Sequence, residues 1–162
     1  DLVVSNGAEW IGMAGHSMGG LISFLAAAQT AAVNAVCAIG SRLSGMRAAH
    51  FLSGTQREIL ENTGEVTFTS RGRFLTLTND FFAEADRLNP SDLLKSFPKP
   101  LMMVHGDQDE IVPVQEAYKA QALSDNGMEL VVVEGADHMF SREDHRDRVS
   151  ALVVDWFKNQ IN

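Results

Sequence analysis

A serine, a cluster of acids and a histidine stand at three places where this chain passes from extended to helical character. Ser17 lies in AGHSMGGL, Ala14 to Leu21, with Gly15 and Gly19 two residues to either side and Gly20 following. A serine hydroxyl is a weak nucleophile at neutral pH; it needs a base to take its proton and an acid to orient that base. LMMVHGDQDEIVP offers Asp107, Asp109 and Glu110, and ELVVVEGADHMF offers Asp137 and His138. These residue types point to nucleophilic acyl transfer with histidine as general base. The flanking glycines suit a tight strand-to-helix turn, where the hydroxyl stands at a helix N-terminus. The helix dipole there favours developing negative charge, and the Met18 backbone N–H points toward where an oxyanion would form. Gly-x-Ser-x-Gly arises by chance in roughly one chain in twenty of this length, so the motif gains its weight from the elements around it.

Those elements follow an alternation of short β-branched runs and longer helical periods, the pattern of an α/β fold with parallel strands and crossover helices. Four core strands are expected, Glu9 to Ala14, Val33 to Ile39, Leu101 to His105 and Glu129 to Val133. The last three are nearly continuous apolar runs, as strands buried on both faces require. SMGGLISFLAAAQTA, with Leu21, Ile22, Phe24, Leu25 and Ala28 at helical spacing, is one crossover; VQEAYKAQALSDNG, closed by Gly127, is another. In REDHRDRVSALVVDWFKNQI, residues Val149, Leu152, Val153, Trp156 and Phe157 form one stripe, which predicts a final helix packed on the sheet. The whole of 1–162 reads as one domain, interrupted at 41–98 by a lid or cap insertion that exceeds what a crossover needs. Within it, TQRE from Thr55 to Glu58 has capping-box spacing, VTFT and FLTL flank SRGR as a hairpin, and a helix starts at Thr78.

Composition restricts the partners. The 162 residues are 45% hydrophobic and 21% charged, which suits a globular domain with a real core. A net charge of −8 gives no basic field for phosphates, so neither nucleic acid nor an anionic membrane is an expected partner. The single cysteine, Cys37, excludes an intrachain disulfide and reads as a buried small hydrophobe. No run is long and apolar enough to span a membrane and DLVVSNGAEW lacks signal-peptide character, so a cytoplasmic location is expected. The acids Asp107, Asp109 and Glu110 lack the spacing of a calcium loop, and no metal is expected.

The three segments resemble the nucleophile, acid and histidine motifs of the α/β-hydrolase family: Gly15-His16-Ser17-Met18-Gly19-Gly20, His105-Gly106-x-x-Asp109-x-x-Val112-Pro113 and Gly135-Ala136-Asp137-His138. From Phe74 onward the chain is most similar to serine esterases of the feruloyl or cinnamoyl type and their acyl-hydrolase relatives. The resemblance implies Ser17 as nucleophile, Asp109 as acid, His138 as base and the Met18 N–H as an oxyanion donor, with no cofactor. It implies a carboxylesterase acting on a short-chain or aryl ester; the aromatics between Leu43 and Phe82 would line an acyl or aryl site or form the lid's own core. Thioesterase or peptidase chemistry uses the same triad, and a non-catalytic module of the same fold is the contrasting reading. Asp107 is expected to brace its loop, His16 to pack or bond to backbone, His105 to be structural, and His50 and His145 to be peripheral. Family members place about four strands before the serine strand, including one whose loop gives a second oxyanion donor. The expected fold is therefore a truncated α/β-hydrolase half-sheet of about four strands and a slow enzyme, with the serine strand at an edge where a second copy pairs to form a homo-oligomer.

Overall fold

The four expected core strands form one sheet in the computed structural model, which describes residues 5–70 and 72–161. Strands β1 (Gly12–His16), β2 (Ala35–Ile39), β5 (Leu101–Gly106) and β6 (Glu129–Val133) are all parallel, in the order β1-β2-β5-β6. Helix α1 (Met18–Ala28) joins β1 to β2, α5 (Val114–Leu123) joins β5 to β6, and α6 (Glu143–Ile161) follows β6. The short helix α4 (Pro90–Lys95), which periodicity did not reveal, leads into β5.

Alternation along the central strands builds a core on each face of the sheet. Val36 and Ala38 of β2, with Leu101 and Met103 of β5, pack with Leu21, Phe24 and Leu25 of α1 and Ala117 and Ala120 of α5. Ala35, Cys37, Met102 and Val104 face the other way, onto Val149 and Trp156 of α6, with Leu152, Val153 and Phe157 packed alongside. The expected stripe of α6 is thus the buried one. The Trp156 indole N–H also donates to the Glu129 carboxylate at 2.9 Å, tying the helix to the start of β6.

Strand boundaries differ from expectation: β2 opens at Ala35 rather than Val33, and β5 runs one residue past His105 to Gly106. The first strand begins at Gly12, opposite Ala35, rather than at Glu9; just before it Ile11 is tied to Asn34, whose side chain accepts the Ile11 N–H at 2.9 Å and whose N–H donates to the Ile11 carbonyl at 2.8 Å. The strand then runs on to His16, two residues beyond the expected end. Helix α5 ends at Leu123, and Gly127, with φ 81°, closes the turn after it. Strand β6 is only partly buried before Val133, as its position at the sheet edge requires. β1 holds the opposite edge and pairs with β2 alone among the described strands.

Residues Gly45–Asn89 form a second compact unit, inside the 41–98 segment. It holds a 3₁₀ turn (Ala48–Phe51), helix α2 (Gly54–Thr63), an antiparallel hairpin of β3 (Glu65–Ser70) and β4 (Arg73–Thr78), and helix α3 (Asn79–Arg87). The capping box of α2 is Ser53 with Gln56, not Thr55 with Glu58: the Ser53 hydroxyl accepts the Gln56 N–H and the Gln56 amide oxygen accepts the Ser53 N–H. Thr78 caps α3, where a helix start was expected. Leu52 and Phe82 enter this unit's own core with Ala48, Leu60 and Val66, whereas Phe74 and Phe81 are exposed.

No described helix is long and apolar enough to cross a membrane. Cys37 is wholly buried in β2, and burial, with the Glu129 charge adding to it, pushes its thiol up to about 12. The thiolate is the reactive form. Ellman's reagent should leave Cys37 unmodified in the folded protein and titrate one thiol in urea; rapid labelling under native conditions would contradict this burial.

Candidate active site

The connection from β1 to α1 is one residue long, and that residue is Ser17. Its φ of 54° and ψ of −121° place a non-glycine residue in a strained region that costs about 1–3 kcal/mol and persists only when its surroundings enforce it. Here they do. The Ser17 N–H donates to the Ile39 carbonyl at 2.7 Å, and the Ser17 carbonyl accepts from the N–H groups of Gly20 at 3.1 Å and Leu21 at 3.3 Å. The wholly buried Ser41 hydroxyl lies 2.8 Å from the Ser17 carbonyl and 3.0 Å from that of Ile39. Glycine is required at two positions beside the turn: a Cβ on Gly15 would overlap the Gly19 carbonyl, and one on Gly20 the Ser41 hydroxyl.

An N-cap serine ordinarily spends its hydroxyl on a helix N–H. Ser17 makes no such bond. Its Oγ lies 3.0 Å from His138 Nε2, and His138 Nδ1 lies 2.8 Å from Asp109 Oδ2. An ionised carboxylate only accepts, so the His138 Nδ1 carries the proton and Nε2 presents its lone pair to the Ser17 hydroxyl. Asp109 Oδ1 accepts the N–H groups of Ile111 at 2.9 Å and Val112 at 2.7 Å. Burial raises the Asp109 pKa, but the His105 and His138 ring N–H groups and the Val112 N–H outweigh it and hold the carboxyl well below the usual carboxylate range.

All three residues follow the C-terminal ends of parallel strands, which share one edge of the sheet. Gly40, just beyond β2, has φ 53°, and a Cβ there would point at Asp109 Oδ2, His16 Nε2 and His138 Nδ1 from 3.5, 3.5 and 3.6 Å. Neighbouring candidates take supporting places. Asp107 Oδ1 accepts the Gly135 N–H at 2.6 Å and so braces the histidine loop, while Glu110 Oε2 accepts the His138 N–H at 3.3 Å. His16 Nε2–H donates to the His138 carbonyl at 2.7 Å, with its ring centroid 4.9 Å from that of His138. Asp137 Oδ1 accepts the Ser141 N–H at 2.7 Å in the turn leading to α6. Met18 heads α1, where first-turn N–H groups have no acceptor within the helix.

Two histidines differ from expectation. His145, expected to be peripheral, is buried, because α6 starts against the histidine loop and sets its ring beneath Gly135. His105 does more than end a strand: its Nε2 reaches both Asp109 and the Val112 carbonyl. Neither Ser41 nor Gly40 was singled out by any local motif. Among the described residues no group of three His, Cys, Asp or Glu side chains could hold a metal ion.

A carboxyl whose pKa is lower in the folded than in the unfolded chain stabilises the fold above its unfolded value, near pH 4, and that contribution is lost as the pH falls. The stability gap between wild type and Asp109→Asn, measured by urea denaturation, should therefore hold from about pH 6 to about pH 4 and shrink as the pH is lowered further. A gap independent of pH would contradict the ionised, hydrogen-bonded Asp109.

Residues 7–162 match the model of the prolyl oligopeptidase family. No curated protein sequence matches the chain. Among solved structures, Est1E from Butyrivibrio proteoclasticus is 26% identical with a TM-score of 0.78, covering 99% of this chain and 66% of its own. The esterase domain of a Rhodothermus marinus protein is 24% identical, TM-score 0.74, covering 96% of this chain and 63% of its own. Mouse alpha/beta hydrolase domain-containing protein 10 is 22% identical, TM-score 0.74, covering 97% and 66%. The chain thus spans just under two thirds of the length of each of these structures. Its sheet and crossovers are those of the α/β-hydrolase fold, and by the match over residues 7–162 the chain belongs to the prolyl oligopeptidase family.

Proposed function

We propose that this protein is a serine hydrolase that cleaves short-chain or aryl carboxylic esters through an acyl-enzyme on Ser17. The observation that carries the reading is the unbroken hydrogen-bonded path from the Ser17 hydroxyl through both nitrogens of His138 to the buried Asp109 carboxylate. His138 Nε2 takes the hydroxyl proton as Ser17 Oγ attacks the ester carbonyl carbon, and the carbonyl oxygen gains the negative charge. Asp109 holds the imidazole in its Nδ1–H tautomer and stabilises the imidazolium that forms. The Met18 N–H, at the positive end of α1, is placed as an oxyanion donor. As the tetrahedral species collapses, His138 gives its proton to the departing alkoxide. It then takes a proton from water, whose oxygen attacks the acyl carbon; the acid leaves and Ser17 Oγ is reprotonated. Each proton is carried by His138, and the cycle draws on no cofactor.

The ester reading is supported by likeness to Est1E, a protein also solved with ferulic acid bound. The family match favours one second reading, cleavage of a peptide bond by the same triad. The two differ in the leaving group: an amine must be protonated as it departs, an alkoxide much less so. Hydrolysis of p-nitrophenyl acetate and butyrate, compared with a prolyl p-nitroanilide, separates them. The esters should turn over, and Ser17→Ala should cut kcat/KM by about 10⁴-fold or more. Equal rates for wild type and Ser17→Ala would remove the reading, and turnover of the anilide alone would replace ester with peptide.

A further inference from the structure

The most deeply buried imidazole among the described residues belongs to His105, not to His138. His105 lies near the end of β5, opposite Val132 of β6, with no exposed surface. Its Nε2 is 2.8 Å from the Val112 carbonyl oxygen and 3.3 Å from Asp109 Oδ2. Both are acceptors, so the Nε2 carries the proton: it donates to the Val112 carbonyl and sets its positive end in close contact with the Asp109 carboxylate. Its Nδ1 is buried and has no hydrogen-bond partner. A proton on Nδ1 would bury an unmet N–H, so the ring is neutral and serves through one donor only.

We propose that His105 is a positioning residue, whose Nε2–H, held by the Val112 carbonyl, fixes the Asp109 carboxylate that orients His138. The inference rests on the Ser17 hydrolase reading. The contacts close a small circuit. The Val112 carbonyl accepts the His105 Nε2–H and the Val112 N–H donates to Asp109 Oδ1, while His105 Nε2 also stands 3.3 Å from Oδ2. The carboxylate therefore cannot turn about its own axis without losing a bond at one oxygen or the other. An apolar side chain would fill the same space without stranding Nδ1, so what the histidine adds at this position is the Nε2–H. His138 reaches Asp109 Oδ2 from the opposite loop, and the angle at which it meets Ser17 depends on where that oxygen is held.

Nitrogen NMR of histidine-labelled wild type at neutral pH, with His105 assigned by its loss in His105→Gln, should show a neutral ring protonated at Nε2. A ring protonated at Nδ1, or an imidazolium, overturns the proposal whatever the activity. In ester hydrolysis, His105→Leu should lower kcat by about 100-fold with KM changed less than about twofold, the scale expected when a catalytic group is misplaced rather than removed. His105→Gln, whose amide N–H reaches about as far, should restore most of that loss. A folded Leu variant as fast as wild type, or a Gln variant as slow as Leu, overturns the proposal. If hydrolysis persists in Ser17→Ala the ester reading falls, yet the low-field proton of His138 Nδ1 still reports on Asp109: it should survive in His105→Gln and vanish in His105→Leu.

Discussion

A carboxylate buried out of reach of water must be answered by hydrogen bonds, and Asp109 imposes that demand on one edge of the sheet. Its side chain is fully enclosed, and burial alone would drive it toward the neutral acid. Three hydrogen-bond donors oppose that, two backbone N–H groups from its own loop on Oδ1 and the His138 ring on Oδ2, and the His105 Nε2–H stands 3.3 Å from Oδ2 beside them. The ionised acid then dictates the tautomer of His138, and that tautomer turns a lone pair toward Ser17. The reactive geometry is thus the far end of a chain of satisfied hydrogen bonds that begins in the interior.

The sheet makes that chain possible because parallel strands deliver their C-terminal ends to a single edge. β1 ends at the serine turn, β2 at Gly40 and Ser41, β5 at the acid loop and β6 at the histidine loop. The strain at Ser17 is sustained by β2, through the Ile39 carbonyl and the Ser41 hydroxyl, so the strand that supplies no reacting group holds the one that does. Gly40 keeps the floor beneath Asp109 and His138 free of side-chain atoms. Tight packing on both faces, from Phe24 on one side to Trp156 on the other, keeps these strand ends in register.

What could be read from residues alone was what depends on short-range chemistry. Gly15 and Gly19 around Ser17, the acids after β5 and the histidine after β6 mark loops whose composition differs from the apolar runs before them, and the structure brings Ser17, His138 and Asp109 into contact. The two inner strands and the α6 stripe were legible because a continuous apolar run and a helical period survive any tertiary arrangement. The remainder depends on contacts that no window of sequence contains. Asn34 binds both backbone groups of Ile11 just before β1. Ser53-x-x-Gln56 and Thr55-x-x-Glu58 are equally good capping boxes on paper, and only the path of the chain into α2 selects the first. His105 and Ser41 look like ordinary core positions until Asp109 and the Ser17 carbonyl are seen beside them.

The central claim is that His138 makes Ser17 a nucleophile. A fluorophosphonate, which captures activated serines, tests it without any choice of substrate. Intact-mass measurement after incubation at neutral pH should show a single adduct, mapped by peptide digestion to Ser17 and lost in folded His138→Ala. A wild-type protein that remains unmodified, or a His138→Ala variant labelled as fast as wild type, would contradict the account.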